Sequence, residues 1–128
     1  MTDAIDRASN NARSSSSNRS VQVDVRDVSD TLVRVLGRQL LSSILDQTAR
    51  TIQGWAAGEA TPAGDDERRL RNTHQVYTLL STEEGDDTIR AWFMGMNSQL
   101  GNVSPAEALA DDQIRCVMIA ARSFVNGA

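Results

Sequence analysis

The spacing of apolar residues changes character several times along this chain. Residues 1–20 contain SNNARSSSSNRS, with almost no apolar side chain to bury, so ordering them would cost backbone entropy without return. The segment reads as a disordered arm. Its Arg7, Arg13 and Arg19 can reach DNA phosphates or a minor groove, or simply decorate a solvated tail. Next, Val21, Val23 and Val25 alternate with polar neighbours, the period of a short strand that pairs across a dimer or stays extended. From Ser29 the period becomes helical. Ser29 or Asp30 can cap a first helix bearing Leu32, Val33, Val35 and Leu36, which Gly37 stops. A second helix, Arg38 to Leu45, places Leu40, Leu41, Ile44 and Leu45 on one face. Asp46 and Gln47 break it, and Thr48 caps a third helix that carries Ile52 and Trp55 and ends before Gly58 and Pro62.

Two short helices joined by a tight turn, behind a first helix, follow the plan of a helix-turn-helix whose last helix enters the major groove. On that plan Leu41, Ile44, Leu45, Ile52 and Trp55 are buried. Arg50 and Gln53 are the base readers, since arginine pairs with guanine and glutamine with adenine in bidentate fashion, while Thr48 and Thr51 suit phosphates. The same shape also serves as a scaffold or dimerisation unit without DNA, and the segment is not basic.

After a loop over residues 59–64, Asp65, Asp66 and Glu67 favour a helix N-terminus, and Leu70, Thr73, Val76, Tyr77, Leu79 and Leu80 give the long helix that follows a wide apolar stripe. His74 lies in it as a solvent or interface histidine. Gly85 ends that run, and Asp86 and Asp87 start a helix with Ile89, Trp92, Phe93 and Met96 on its apolar side. Trp92 and Phe93 read as core rather than as exposed anchors. A reversal through Asn97 and Leu100-Gly101-Asn102 leads to Ser104-Pro105-Ala106-Glu107, a capping box with proline at the first helical position. The short helix through Ala110 is followed by a last one, starting at Asp111 or Asp112, that aligns Ile114, Val117, Met118, Ala121, Phe124 and Val125. Cys116, one step from that stripe, reads as semi-buried and structural.

The resulting fold class is all-α: a disordered arm (1–20), a helix-turn-helix-like region (21–64) and a helical region (65–128). At 128 residues with 40% hydrophobic content the chain supports a core without staples, which agrees with a single cysteine, one histidine and no metal-ligand spacing. No cofactor and no metal are expected. No glycine-rich phosphate loop, nucleophile elbow or tuned acid pair is present, so an enzyme is not expected. No segment is long and apolar enough for a membrane span and residues 1–20 lack a signal-peptide core, so a cytoplasmic protein without membrane contact is expected. The net charge of −4 is uneven: six Arg face ten acids over residues 65–128, whereas four face five over 21–64. DNA affinity rests on neutralised phosphates, so a lone monomer should bind DNA weakly.

Two segments together resemble the Xre/MbcA/ParS-like antitoxin family, partners of RES-domain toxins. The C-terminal one reads AWFMGMNSQLGNVSPAEAL and VMIAARSFVNG: a tryptophan helix, an Asn-x-x-Leu turn, a proline-led short helix and a last amphipathic helix with a terminal glycine. The other, TARTIQGWAAGEATP, looks like the end of that family's helix-turn-helix, with Trp55, Gly58 and Pro62 in order. The resemblance covers roughly residues 29–128. It implies a type II antitoxin that binds a toxin degrading NAD, obstructs its active site, and represses its own operon. It makes residues 65–128 the toxin-binding and dimerisation region, with Trp92, Asn97, Arg122, Ser123, Phe124, Val125, Asn126 and Gly127 at toxin-binding positions. Arg122 would pair with toxin carboxylates and Phe124 would fill a pocket. The chain stops one residue after Gly127, so an inserting tail would be short. An acidic C-terminal half suits a partner with a basic cleft. The implied partners are a cognate RES-domain toxin, operator DNA, and a second copy in a homodimer or a hetero-oligomer with the toxin. The competing reading is a phage-type DNA-binding repressor whose C-terminal helices serve dimerisation alone. It predicts salt-dependent operator binding that is lost when Arg50 and Gln53 become alanine.

Overall fold

The computed structural model describes residues 24–127. Within them the chain forms seven α-helices: α1 (Val25–Leu36), α2 (Arg38–Leu45), α3 (Ala49–Ala57), α4 (Asp65–Leu80), α5 (Asp86–Met94), α6 (Pro105–Ala110) and α7 (Ile114–Val125), with a 3-10 turn at Ser98–Leu100. An isolated antiparallel bridge joins Asn97 to Val103. No described helix is long and apolar enough to cross a membrane. The arm over residues 1–20, and Val21 and Val23 of the alternating stretch, lie outside the described residues.

The first helix begins a full turn before the expected start at Ser29. Val25, expected in a strand, is its first residue, and Asp24 caps it by accepting the Arg26 N–H at 3.2 Å. The alternation ending at Val25 overlaps a second spacing, Val25, Val28, Leu32, which is that of a helix face. The cap and the burial of Val28 and Leu32 decide in favour of the helix. Ser29, in the interior, satisfies its hydroxyl by donating to the Val25 carbonyl at 2.9 Å.

Gly37 separates α1 from α2 at φ +87, and the Arg90 guanidinium packs so closely over it that a Cβ there would meet Nη2 at 3.0 Å. The positive φ is what favours glycine here, since the arginine tip can shift. The next two helices and the tight turn between them form at the expected residues. Asp46 takes the left-handed conformation at φ 53, and the Thr48 hydroxyl accepts the Thr51 N–H at 3.1 Å. Leu41, Ile44, Leu45, Ile52 and Trp55 are all buried.

Helix α4 is the spine of the rest. At 16 residues it is about 24 Å long, and it touches α1, α2, α6 and α7. Leu70, Thr73, Val76 and Leu80 face inward, while Tyr77 and Leu79 are half-buried. One cluster of buried side chains runs from Val28 through Ile52, Leu70, Phe93 and Leu109 to Ala121, spanning both of the regions drawn at residue 64. The capping box at the start of α6 is complete: Ser104 Oγ accepts the Glu107 N–H at 3.0 Å and Glu107 Oε1 accepts the Ser104 N–H at 2.9 Å.

The last helix starts at Ile114 rather than at Asp111 or Asp112. Asp111 closes α6, its N–H donating to the Glu107 and Ala108 carbonyls, and Asp112 sits at φ 61, outside helical space. The Asp112 carboxylate accepts instead from Arg69 Nε and Arg68 Nη1, both at 3.1 Å, tying the α6–α7 turn to α4. Hydrogen bonds from Arg69 and then Arg68 hold the Asp112 carboxyl below its ordinary value of 3.8. A depressed carboxylate adds stability that is complete above its unfolded pKa and is lost as pH falls through the folded one. Asp112→Asn should therefore flatten the acid limb of a thermal-unfolding series, its deficit against wild type shrinking as pH drops below about 3.8.

Candidate functional site

Residues 91–104 carry the chain from a helix into a tight reversal. Helix α5 turns Phe93 fully into the core and leaves the adjacent Trp92 half-buried at the rim, with the two rings edge-to-face at 5.5 Å. Trp92 also meets Phe124 of α7, ring centroids 6.1 Å apart. The helix ends at Met94, so the helical period that put Met96 on the apolar side no longer applies. Met96 is instead 82% exposed, the most exposed large hydrophobic side chain described. Phe93 is core as expected, whereas Trp92 is shared between core and surface.

Asn97 builds the turn that follows. Its N–H donates to the Val103 carbonyl at 3.0 Å, its own carbonyl accepts from Leu100 and Asn102 at 2.9 Å, and its side-chain oxygen accepts the Gln99 N–H at 2.9 Å. This accounts for the Asn-x-x-Leu spacing: the asparagine holds both ends of a reversal, accepting the Leu100 and Asn102 N–H groups on its carbonyl and the Gln99 N–H on its side chain. Trp92, Met96, Asn97, Ser98, Gln99, Ala120 and Phe124 together line a groove of about 270 Å³.

Three expected toxin-facing residues, Trp92, Asn97 and Phe124, thus meet in one groove. The others do not line it. Val125 is half-buried against the core and Ser123 is half-buried, while Arg122, Asn126 and Gly127 are exposed at the end of α7. Gly127 takes φ 77 with its N–H bonded to the Phe124 carbonyl at 3.1 Å, closing the helix. Neither Arg115 nor Arg122 has an ion-pair partner among the described residues, and α7 contains no acid. The acidity of the C-terminal half sits at residues 65–67, 83–87, 107 and 111–112, so the last helix itself is cationic.

Two surface residues escaped the sequence reading. Met96 did so because its helix ends two residues earlier. Ile119, 53% exposed, lies between Arg115 and Arg122 on the outer face of α7, where an apolar residue off the buried stripe was the available signal. Cys116 is exposed rather than semi-buried: one position before Val117, it is turned by about 100° off the packed stripe. It borders a separate, larger groove of about 660 Å³ beyond the 3-10 turn. No group of three or more metal-ligating side chains occurs among the described residues. His74 is half-buried, and burial, followed by the Arg71 charge, lowers its pKa from the ordinary 6.5, which favours the neutral imidazole.

The helix-turn-helix presents Arg50 and Gln53 exposed on α3, whereas the Thr48 and Thr51 hydroxyls bond to one another at 3.0 Å and serve the helix start. Gln47 donates to both carboxylate oxygens of Asp66, at 3.1 and 3.3 Å, which brings α4's acidic first turn against the N-terminus of α3. Asp46, exposed, adds a second carboxylate there. Two acids against one arginine give this end of the unit no excess of positive charge.

No family model matches the chain. A probable mycobacterial cidal antitoxin of Mycobacterium tuberculosis is 28% identical over 88 residues, covering 69% of this chain and 75% of that protein. A chain in the crystal structure of the M. tuberculosis MbcT-MbcA toxin-antitoxin complex superposes with a TM-score of 0.70, covering 83% of this chain and 98% of that one at 22% identity. The superposition identifies the all-α fold.

Proposed function

We infer, from the premise that this chain is an MbcA-like antitoxin, that it neutralises a RES-domain toxin by covering the mouth of that enzyme's NAD-degrading site with the surface formed by α5, the 97–103 turn and α7. The chain does no chemistry of its own. The observation that carries this reading is the exposure of Met96 beside Trp92 and Phe124 in one groove, with Arg122 exposed near the end of the same last helix and without an ion-pair partner among the described residues. Aromatic and arginine side chains are the usual anchors of protein interfaces. Co-expression with a RES-domain toxin tests this: cellular NAD should hold at the level of toxin-free cells. A fall in NAD as deep as with toxin alone would overturn the reading.

The helix-turn-helix supports autoregulation as a second role, carried by the exposure of Arg50 and Gln53 on a properly capped α3. Because Asp46 and Asp66 flank that helix, operator binding should depend on multiplying the unit in an assembly rather than on one chain. Arg50→Ala combined with Gln53→Ala is expected to abolish operator retention in a mobility-shift assay while leaving toxin neutralisation intact. Unchanged retention would assign α3 to scaffolding.

A further inference from the structure

The groove of about 660 Å³ that Cys116 borders lies between the 3-10 turn, α6 and the start of α7. Gln99 lines both this groove and the Trp92–Phe124 groove, so the two adjoin, with the turn as the ridge between them. Its apolar lining is Leu100, half-buried, Val103, 39% exposed, and Ala108 and Ala110 of α6. The polar side chains around it, among them Glu107 and Asp111, are exposed and stand at the rim. A small-molecule site needs polar groups that converge on the ligand, whereas an apolar floor with a polar rim is the anatomy of a protein interface.

The rim charge is one-signed, and no arginine lines the groove. Of the two successive acids in the α6–α7 turn, Asp112 is engaged by Arg68 and Arg69, while the Asp111 side chain is exposed with no ion-pair partner among the described residues. Glu107, four residues earlier, gives Oε1 to the Ser104 N–H and is otherwise exposed. Like charges at this spacing repel each other, and a cation brought by a partner relieves the repulsion. Arg122 lies near the other end of α7, so the surface is acidic where that helix starts and basic where it ends. Opposite charges at two ends fix the register of whatever docks across them.

We propose that this groove is a second seat for the toxin, taking an apolar toxin segment that carries an arginine or lysine, with Glu107 and Asp111 pairing to that cation. The toxin then straddles the 97–103 turn, one contact on each side. The proposal rests on the antitoxin reading above and adds to it the contact that selects the partner: a toxin presenting an acid at this point meets two unpaired carboxylates and is rejected.

Cys116 is the single cysteine of the chain and is exposed, so its alkylation reports whether the groove is filled. In the complex of the full chain with a RES-domain toxin, iodoacetamide labelling of Cys116, read by mass spectrometry of its peptide, should slow about tenfold or more relative to the free chain. Val103→Arg sets a cation against the toxin's own and should raise the dissociation constant about 30-fold or more. The fold tolerates it, because Val103 serves the Asn97 turn through its backbone carbonyl. Asp111→Arg, which alters only an exposed side chain, should slow association about tenfold at low salt, the difference shrinking as salt is added. A neutralised complex in which Cys116 labels as fast as in the free chain, or one that both variants form like the wild type, overturns the proposal and leaves the antitoxin reading standing. A wild-type chain that neither binds nor neutralises the toxin overturns both.

Discussion

A Met96→Asp variant should fail to neutralise the toxin while unfolding at the wild-type temperature. The two halves of that result come from one observation. Met96 is 82% exposed in the single chain, so replacing it removes almost no buried area and, as for surface changes generally, should shift stability by no more than about 0.5 kcal/mol. In a complex that covers the Trp92–Phe124 groove, the same position becomes a buried carboxylate. An unpaired charge at the centre of an interface should raise the dissociation constant by about 30-fold or more, which corresponds to at least about 2 kcal/mol. Titration calorimetry against the toxin together with thermal unfolding of the free chain reads both halves. Arg122→Glu provides a contrast. It lies at the exposed end of α7, and its effect should fall mainly on the association rate and on the dependence on salt. Full neutralisation by Met96→Asp would move the toxin surface away from this groove. The larger groove beside Cys116, on the far side of the 3-10 turn, would then be the place to look.

Much of this architecture is legible from local chemistry alone, and the exceptions share a cause. Gly37, Thr48, Gly58 and the Ser104–Glu107 box each mark a helix end by a mechanism that acts within four residues, and each does so here. The start of α1 was misjudged because Val25 belongs to two spacings at once, and only the burial of Val28 and Leu32 against other helices separates them. The start of α7 was misjudged because Asp112, an excellent cap by composition, spends its carboxylate on Arg68 and Arg69, more than 40 residues away. The candidate surface behaves likewise. Trp92, Asn97 and Phe124 line one groove, but Met96 and Ile119 acquire their exposure from where helices stop and which face packs inward. Whole-segment charge was a poor guide to local charge: the acidic half of the chain contains a last helix with two arginines and no acid.

Phe93→Ala should be the most damaging single change to the fold, and its contrast with its neighbours tests how α5 divides its two tasks. Phe93 is fully buried in the cluster that unites α1, α4, α6 and α7, and its ring supports Trp92 edge-on. Truncation leaves a cavity that the surrounding helices can only partly close, at a cost of about 3–5 kcal/mol. Against a total stability of about 5–15 kcal/mol for such a domain, that should lower the melting temperature on the order of 10–20 °C. Met94→Ala, one residue along, removes a side chain that is 60% exposed and should change the melting temperature by only a few degrees. The expected order in a differential scanning experiment is therefore Phe93→Ala far below wild type, with Met94→Ala and Met96→Asp close to it. In binding assays that order inverts for Met96→Asp, which folds and does not bind. Phe93→Ala should bind weakly only in proportion to its unfolded fraction and to the loss of support beneath Trp92. If Phe93→Ala instead melts with the wild type, α5 is not seated in the core as described. The Trp92 rim would then lose the rigid base on which its proposed role at a toxin surface rests.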